Sequence, residues 1–222
     1  MPKSVVFENP HFVIINKAAG VLSVPSRMGQ TDPRPVAGLQ VQEKFGKKIF
    51  PVHRLDEEVS GLLMFALTPE AHRSANLWFE DHQVIKTYEA LSPPPAPEDK
   101  SKLSVPVLWE CKLMRGKKRA YEAEFGKKSV TKAKLVGQTN NGRAVWHLQP
   151  LTGRSHQLRY EMARHGFPID GDKLYGSTVL DDTSIGIKLQ AAKLDFTSCK
   201  NYKDYDLPAI ISLETVVPLE NF

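Results

Sequence analysis

Residues 51–66 read PVHRLDEEVSGLLMFA, and the second half of this stretch decides the fold. Leu62–Leu67 is an unbroken apolar run, with Gly61 before it and Thr68-Pro69 after it. A short continuous run of this kind fits a strand buried on both faces, in the interior of a sheet. The first half places Asp56 two residues from Arg54, in a turn leading into the strand. An aspartate with its ordinary pKa of about 3.9 is anionic at neutral pH, and a neighbouring arginine holds it ionised and oriented. A lone carboxylate at the mouth of a sheet suits nucleophilic attack on an electron-poor centre. The same residues also suit a turn aspartate paired with Arg54 for structure alone.

Upstream, Val5–Phe7 and Phe12–Asn16 flank Asn9-Pro10 and read as a hairpin. Gly20–Pro35 is rich in Gly, Pro and Ser and reads as loop; Val36–Phe45 has the spacing of a short helix ended by Gly46. Downstream, Thr68 can cap a helix with Pro69 at its first position, and Ala71, Ala75 and Trp78 form its apolar stripe. Lys86–Leu91 alternates as a strand, and proline-rich Ser92–Lys100 reads as a surface loop. Ala120–Phe125, Thr131–Val136 and Ala144–Gln149 read as strands, the last two joined by the Asn140-Asn141-Gly142 turn. A helix is predicted from about Ser155 to His165, with Gly166 past its end, then strands over Lys188–Phe196 and Ala209–Val217. The class is α+β, with a mixed, mostly antiparallel central sheet and flanking helices. The proline-rich loop is too short for a linker, so residues 1–222 are expected to form one domain.

The 222 residues are 41% hydrophobic and 25% charged, an ordinary soluble balance with enough length for a core. No apolar run approaches the ~18 residues of a spanning helix, and the first residues hold no secretory core, so no membrane role is expected. Two cysteines, Cys111 and Cys199, with no demand that they pair, fit the reducing cytoplasm. The net charge of +5 and pI near 9.1 favour a polyanionic partner. Basic clusters stand at Arg115–Arg119, Lys127-Lys128 and Lys132/Lys134. Each can track an RNA backbone or be a solvated hairpin tip. Zinc spacing, phosphate loops and the G-x-S-x-G elbow are missing from the sequence. Asp170-Gly171-Asp172 hints at calcium, but the rest of an EF-hand loop is not matched.

Three segments carry a stronger signal. His53, Arg54, Leu55, Asp56, Ser60 and Gly61 spell H-R-L-D-x-x-x-S-G; Lys86, Tyr88 and Ala90 spell K-x-Y-x-A; and residues 152–159 spell T-G-R-S-H-Q-L-R. Together with Asn16-Lys17, Gly20 and Pro25, these resemble the RluA-type pseudouridine synthases, over about Phe12 to Tyr175. The resemblance implies the pseudouridine synthase catalytic fold and isomerisation of uridine in ribosomal or transfer RNA, without a cofactor or metal. It implies that Asp56 attacks the target uridine, that Tyr88 stacks on the pyrimidine, and that Arg159 pairs with the aspartate. Arg54 would help extrude the base and fill its place, with His53, Arg154 and His156 also on the substrate side. Arg154 and His156 would stand at a helix N-terminus, where backbone N–H groups favour phosphate. The expected protein is a cytoplasmic monomer that needs RNA but no obligate protein partner, and no S4-type extension is expected. Departures from the pattern fall at Tyr160-Glu161, Gln190 and after Phe196. Two other readings compete: a non-catalytic RNA-binding or chaperone protein on the same fold, and an Asp-dependent glycosidase. The glycosidase would need a second carboxylate converging on Asp56.

Overall fold

Asn9 turns the chain near its start. Its side-chain oxygen accepts hydrogen bonds from the N–H groups of His11 (2.9 Å) and Phe12 (2.8 Å), an Asx-type turn. The flanking runs form the expected antiparallel hairpin, β1 (Val5–Glu8) and β2 (Phe12–Lys17). The computed structural model describes residues 5–179 and 186–219. Along the chain follow α1 (Ala37–Phe45), β3 (Phe50–Pro51), β4 (Ser60–Ala66), α2 (Pro69–Glu80) and β5 (Ile85–Ser92). Then come α3 (Lys100–Leu103), β6 (Val107–Arg115), β7 (Ala120–Glu122), β8 (Lys127–Gln138) and β9 (Ala144–Pro150). The last are α4 (Gln157–Arg164), β10 (Leu189–Asp195) and β11 (Ile210–Ser212). No helix among the described residues is long and apolar enough to cross a membrane.

The chain divides into two compact units, 1–85 with 191–213, and 86–190 with 214–222. In the first, the strand order is β1-β2-β4-β10, with β3 added to β4 and β11 to β10. The run that suggested an interior strand is one: Leu62 through Ala66 are completely buried in β4. β2 runs antiparallel to it from Phe12↔Ala66 to Lys17↔Gly61, and β3 meets only its far end at Phe65 and Ala66. At the near end a Cβ on Gly61 would lie 2.4 Å from the Ala191 carbonyl oxygen, at φ +112°. Only glycine allows β10 to come that close. Helix α2 starts as expected, with Thr68 Oγ1 accepting from the Ala71 N–H (3.2 Å) and Pro69 in the first turn. Ala71, Ala75 and Trp78 pack into a core with Phe12, Ile14, Leu62, Met64 and Phe196. Each large apolar side chain so buried contributes about 1.5–3 kcal/mol.

In the second unit the order is β5-β9-β8-β6-β7, and each of these neighbours pairs antiparallel. The cross-strand register puts Tyr88, Leu148 and Ala133 in line on one face. Trp109, Cys111 and Leu113 of β6 stand on that same face, which α4 covers: Cys111 Sγ meets Glu161 Oε1 (2.8 Å) and Trp109 stacks on His165 (4.3 Å). Glu89, the neighbour of Tyr88, belongs to the opposite face. Its buried carboxylate accepts the N–H groups of Val216 (3.0 Å) and Val217 (3.2 Å).

Several sequence expectations change here. β6 was not predicted, because the charges in VLWECKLMR hide a period-two pattern whose apolar positions Val107, Trp109, Cys111 and Leu113 face inward. Its presence lengthens β8, which starts at Lys127 to pair with Leu113, rather than at Thr131. The strand expected over Ala120–Phe125 stops at Glu122 as the chain turns at Gly126. The loop at Ser92–Lys100 contains a 3-10 turn at Pro97–Asp99 and leads directly into α3. Of the strand expected over Ala209–Val217 only Ile210–Ser212 forms, since the Val216 and Val217 N–H groups go to Glu89.

Candidate active site

The aspartate turn is built from its neighbours. Ser23 is buried, and its hydroxyl donates to the Leu55 carbonyl (2.8 Å) while accepting from the Leu55 N–H (2.9 Å). The residue before Asp56 is thereby held at both backbone groups. On the other side, the Glu57 carbonyl accepts from the Gly20 N–H (2.8 Å) and from Lys17 Nζ (3.3 Å). The Glu57 carboxylate takes Arg34 Nη1 (2.5 Å), and Arg34 also grips Asp32 through Nε and Nη2. The Val59 N–H closes the turn on the Asp56 carbonyl (3.2 Å). Asp56 itself is half-buried and Arg54 is exposed. His53 is turned inward: its Nε2 accepts the Met64 N–H (3.0 Å), which places its ring proton on Nδ1, and its ring stacks on Phe79 (4.6 Å).

Lys17, one of the residues of the N-terminal match, lies beside this turn. It is 1% exposed, and its ammonium donates to the carbonyls of Ala18 (2.9 Å), Val21 (2.7 Å) and Glu57. Burial pushes its pKa down to about 8, against the pull of the Asp56, Glu57 and Glu58 carboxylates. A buried cation thus stands within the field of the candidate nucleophile. Because Lys17 binds its proton less tightly folded than unfolded, the unfolded chain carries more protons above pH 8, and stability rises with pH there. From about pH 7 to about pH 9.5 the gain is about 2 kcal/mol. Urea unfolding of wild type and Lys17→Met at both pH values checks it: the difference should move toward wild type as pH rises. A flat or opposite trend would remove the assignment.

In the second unit, Tyr88 is half-buried on β5, on the face that carries α4. Arg159 is 2% exposed and is held by a residue that the sequence reading did not link to it. Its Nε and Nη2 donate to the two carboxylate oxygens of Asp172 (2.7 and 2.9 Å), which is 1% exposed. The Tyr175 ring lies 5.3 Å from the guanidinium carbon. Asp170 binds Arg143 in the same two-pronged way. Each carboxylate of Asp170-Gly171-Asp172 therefore takes an arginine, with Gly171 at φ +85° making the turn between them.

The loop before α4 is fixed by Gln157. Its Oε1 accepts from the Arg154 N–H (3.0 Å) and the Thr152 hydroxyl (2.7 Å), and its Nε2 donates to Val130 O and Thr131 Oγ1. His156 immediately precedes the helix in a left-handed conformation, φ 52°, with its Nδ1 hydrogen-bonded to the Tyr175 hydroxyl (3.1 Å). Arg154 Nε donates to the Lys128 carbonyl (2.9 Å). Both stand at the start of α4 as expected.

The sequence profile of the RNA pseudouridylate synthase family matches residues 11–164, spanning the aspartate turn, Tyr88 and Arg159. The chain belongs to that family. Isomerisation of uridine in RNA is accordingly its activity, and RNA its partner. It is 35% identical over 192 residues to the dual-specificity RNA pseudouridine synthase RluA of Pasteurella multocida, covering 86% of this chain and 85% of that one. Identity to the RluA of Haemophilus influenzae is 32% over 193 residues, 87% and 86% of the two chains. Human RNA pseudouridylate synthase domain containing 1 superposes with a TM-score of 0.70 at 25% identity, over 88% of this chain and 78% of that one.

This pseudouridylate synthase absorbs its departure at Glu161 within the fold. Glu161 is fully buried and takes the Cys111 thiol, Arg164 Nε and Nη2, and His165 (3.6 Å). Burial opposes its charge, but the bonds from His165, Cys111 and Arg164 outweigh it and hold the carboxyl below its usual range. Burial together with Glu161 pushes the Cys111 thiol up to about 12. Both cysteines of the synthase are buried and free.

Proposed function

We propose that this synthase modifies uridine in ribosomal or transfer RNA through Asp56 as nucleophile. The observation that carries the reading is the turn at 55–57, whose backbone is held on both sides of Asp56 and which lies within the segment that matches the family. Asp56 attacks the target nucleotide at the anomeric carbon or the pyrimidine ring. The bond between ribose and ring nitrogen 1 breaks, the uracil rotates, and a bond forms from ribose to ring carbon 5. Carbon 5 loses a proton and nitrogen 1 gains one, so the step is neutral and redox-free. Tyr88 stacks on the pyrimidine and lies near carbon 5. Arg159 is the arginine that the family pattern pairs with the catalytic aspartate, and Asp172 positions that guanidinium.

Exposed Arg54 fills the place of the extruded base, whose unstacking costs a few kcal/mol. Arg154 and His156 contact phosphate, and His53 serves the substrate side by bracing the turn. The whole of residues 1–222 acts as one catalytic domain, a cytoplasmic monomer. Pseudouridine mapping of total RNA with and without the gene tests the reading. Loss of one or a few sites in ribosomal or transfer RNA is expected, and an unchanged profile would favour a protein that only binds RNA.

A further inference from the structure

We propose that the exposed edge around Arg115–Arg119 is a second RNA interface, which holds the phosphodiester backbone outside the target nucleotide. The inference rests on the RNA reading above and names a surface that the reading does not use. Residues 112–128 hold seven lysines and arginines against two glutamates, a net charge equal to the +5 of the whole chain. Everything outside this stretch is therefore balanced, and the basic character of the protein sits in one place. Within it, the Gly116 N–H donates to the Arg119 carbonyl (2.9 Å), closing a tight turn with Arg115, Lys117, Lys118 and Arg119 all exposed. β7, which follows the turn, is the last strand in the order of its unit.

Lysines on an edge strand also serve to prevent sheet-to-sheet aggregation. Three further features favour a nucleic-acid partner. Tyr121 beside the turn and Phe125 past the other end of β7, before Lys127-Lys128, are 45% and 89% exposed, and exposed aromatic faces among cations suit unpaired bases. Two nearby carboxylates are engaged away from the Arg115–Arg119 turn, Glu122 with Arg164 (3.8 Å) and Glu110 with Lys128 at the far end of the stretch (3.3 Å). The edge is also tied to the loop before α4. The Tyr175 hydroxyl accepts the Ala120 N–H (2.7 Å) while bonded to His156, and Arg154 Nε holds the Lys128 carbonyl. The cationic turn is thus fixed to the segment that leads into Arg159, rather than hanging from the sheet.

The test is the salt dependence of RNA binding. A fluorescein-labelled RNA hairpin is titrated by anisotropy at several salt concentrations with wild type, Lys117→Gln/Lys118→Gln and Lys117→Glu/Lys118→Glu. Each lost phosphate contact lowers the slope of log affinity against log salt by about 0.9, so the neutral pair should lower it by about two. The reversed pair should lower it at least as far. With substrate RNA from a gene-deleted strain, the loss should appear as a raised KM. Slopes equal to wild type in both folded variants would show a solubilising edge and overturn the proposal. Pseudouridine formation by wild type on the same RNA reports the isomerase reading separately. If that failed while the slopes fell, the reading of the reaction would be lost and the interface would stand.

Discussion

Asp56→Asn should lower pseudouridine formation by about 10⁴-fold or more, since an uncharged amide of the same shape cannot replace a carboxylate nucleophile. The substitution should leave the fold intact. The anchors of the turn act on its neighbours: Ser23 on Leu55, and Lys17, Gly20 and Arg34 on Glu57. RNA affinity should therefore stay near wild type while turnover disappears. Single-turnover assays on RNA from a gene-deleted strain, with circular dichroism and anisotropy on the same preparation, separate the two effects. Turnover at the wild-type rate in the purified variant would show that Asp56 is only a structural turn residue.

The second large effect is expected at Asp172. The Arg159–Asp172 pair is almost wholly removed from water, with Nε and Nη2 along one guanidinium edge seated on the two carboxylate oxygens. Breaking such a pair by removing one partner leaves a charge in a poor dielectric and costs about 3–5 kcal/mol. Asp172→Ala should lose that much in urea unfolding. Asp172→Asn keeps the shape and one acceptor, so it should fold more readily and serve for kinetics. If Asp172 positions the group that serves Asp56, Asp172→Asn should lower kcat with KM for RNA nearly unchanged. A purely structural role would lower the unfolding midpoint and leave kcat per folded molecule at the wild-type value.

The legible parts of the fold were those written in local pattern. The run after Gly61 identified β4, and Thr68-Pro69 marked the start of α2, because burial on both faces and helix capping leave short-range signals. β6 was missed because three of its nine residues are charged, so its inward alternation was not read. The bounds of β7 and β8 then followed wrongly, since a strand extends as far as it finds a partner. At the site, the family motifs pointed to Asp56, Tyr88 and Arg159, but not to what holds them. Ser23 lies 32 residues from Leu55 and Lys17 lies 40 from Glu57, and no periodicity links residues so far apart. Asp172 was closer to recognition. Asp170-Gly171-Asp172 hints at a cation site that the rest of the segment does not support, and nothing local shows that each aspartate serves an arginine.

Glu89 gives the protein a vulnerability of a different kind. The strand that presents Tyr88 on one face uses Glu89 on the other to grip the peptide groups of Val216 and Val217. Burial works against its charge, and His147 with those two N–H groups keeps the carboxyl below its usual range. An exopeptidase that trimmed the chain past Val216 would leave this anion sealed in the protein without the two donors it was folded around. Handling losses in a purified preparation would then register at β5, far along the sequence from the cut.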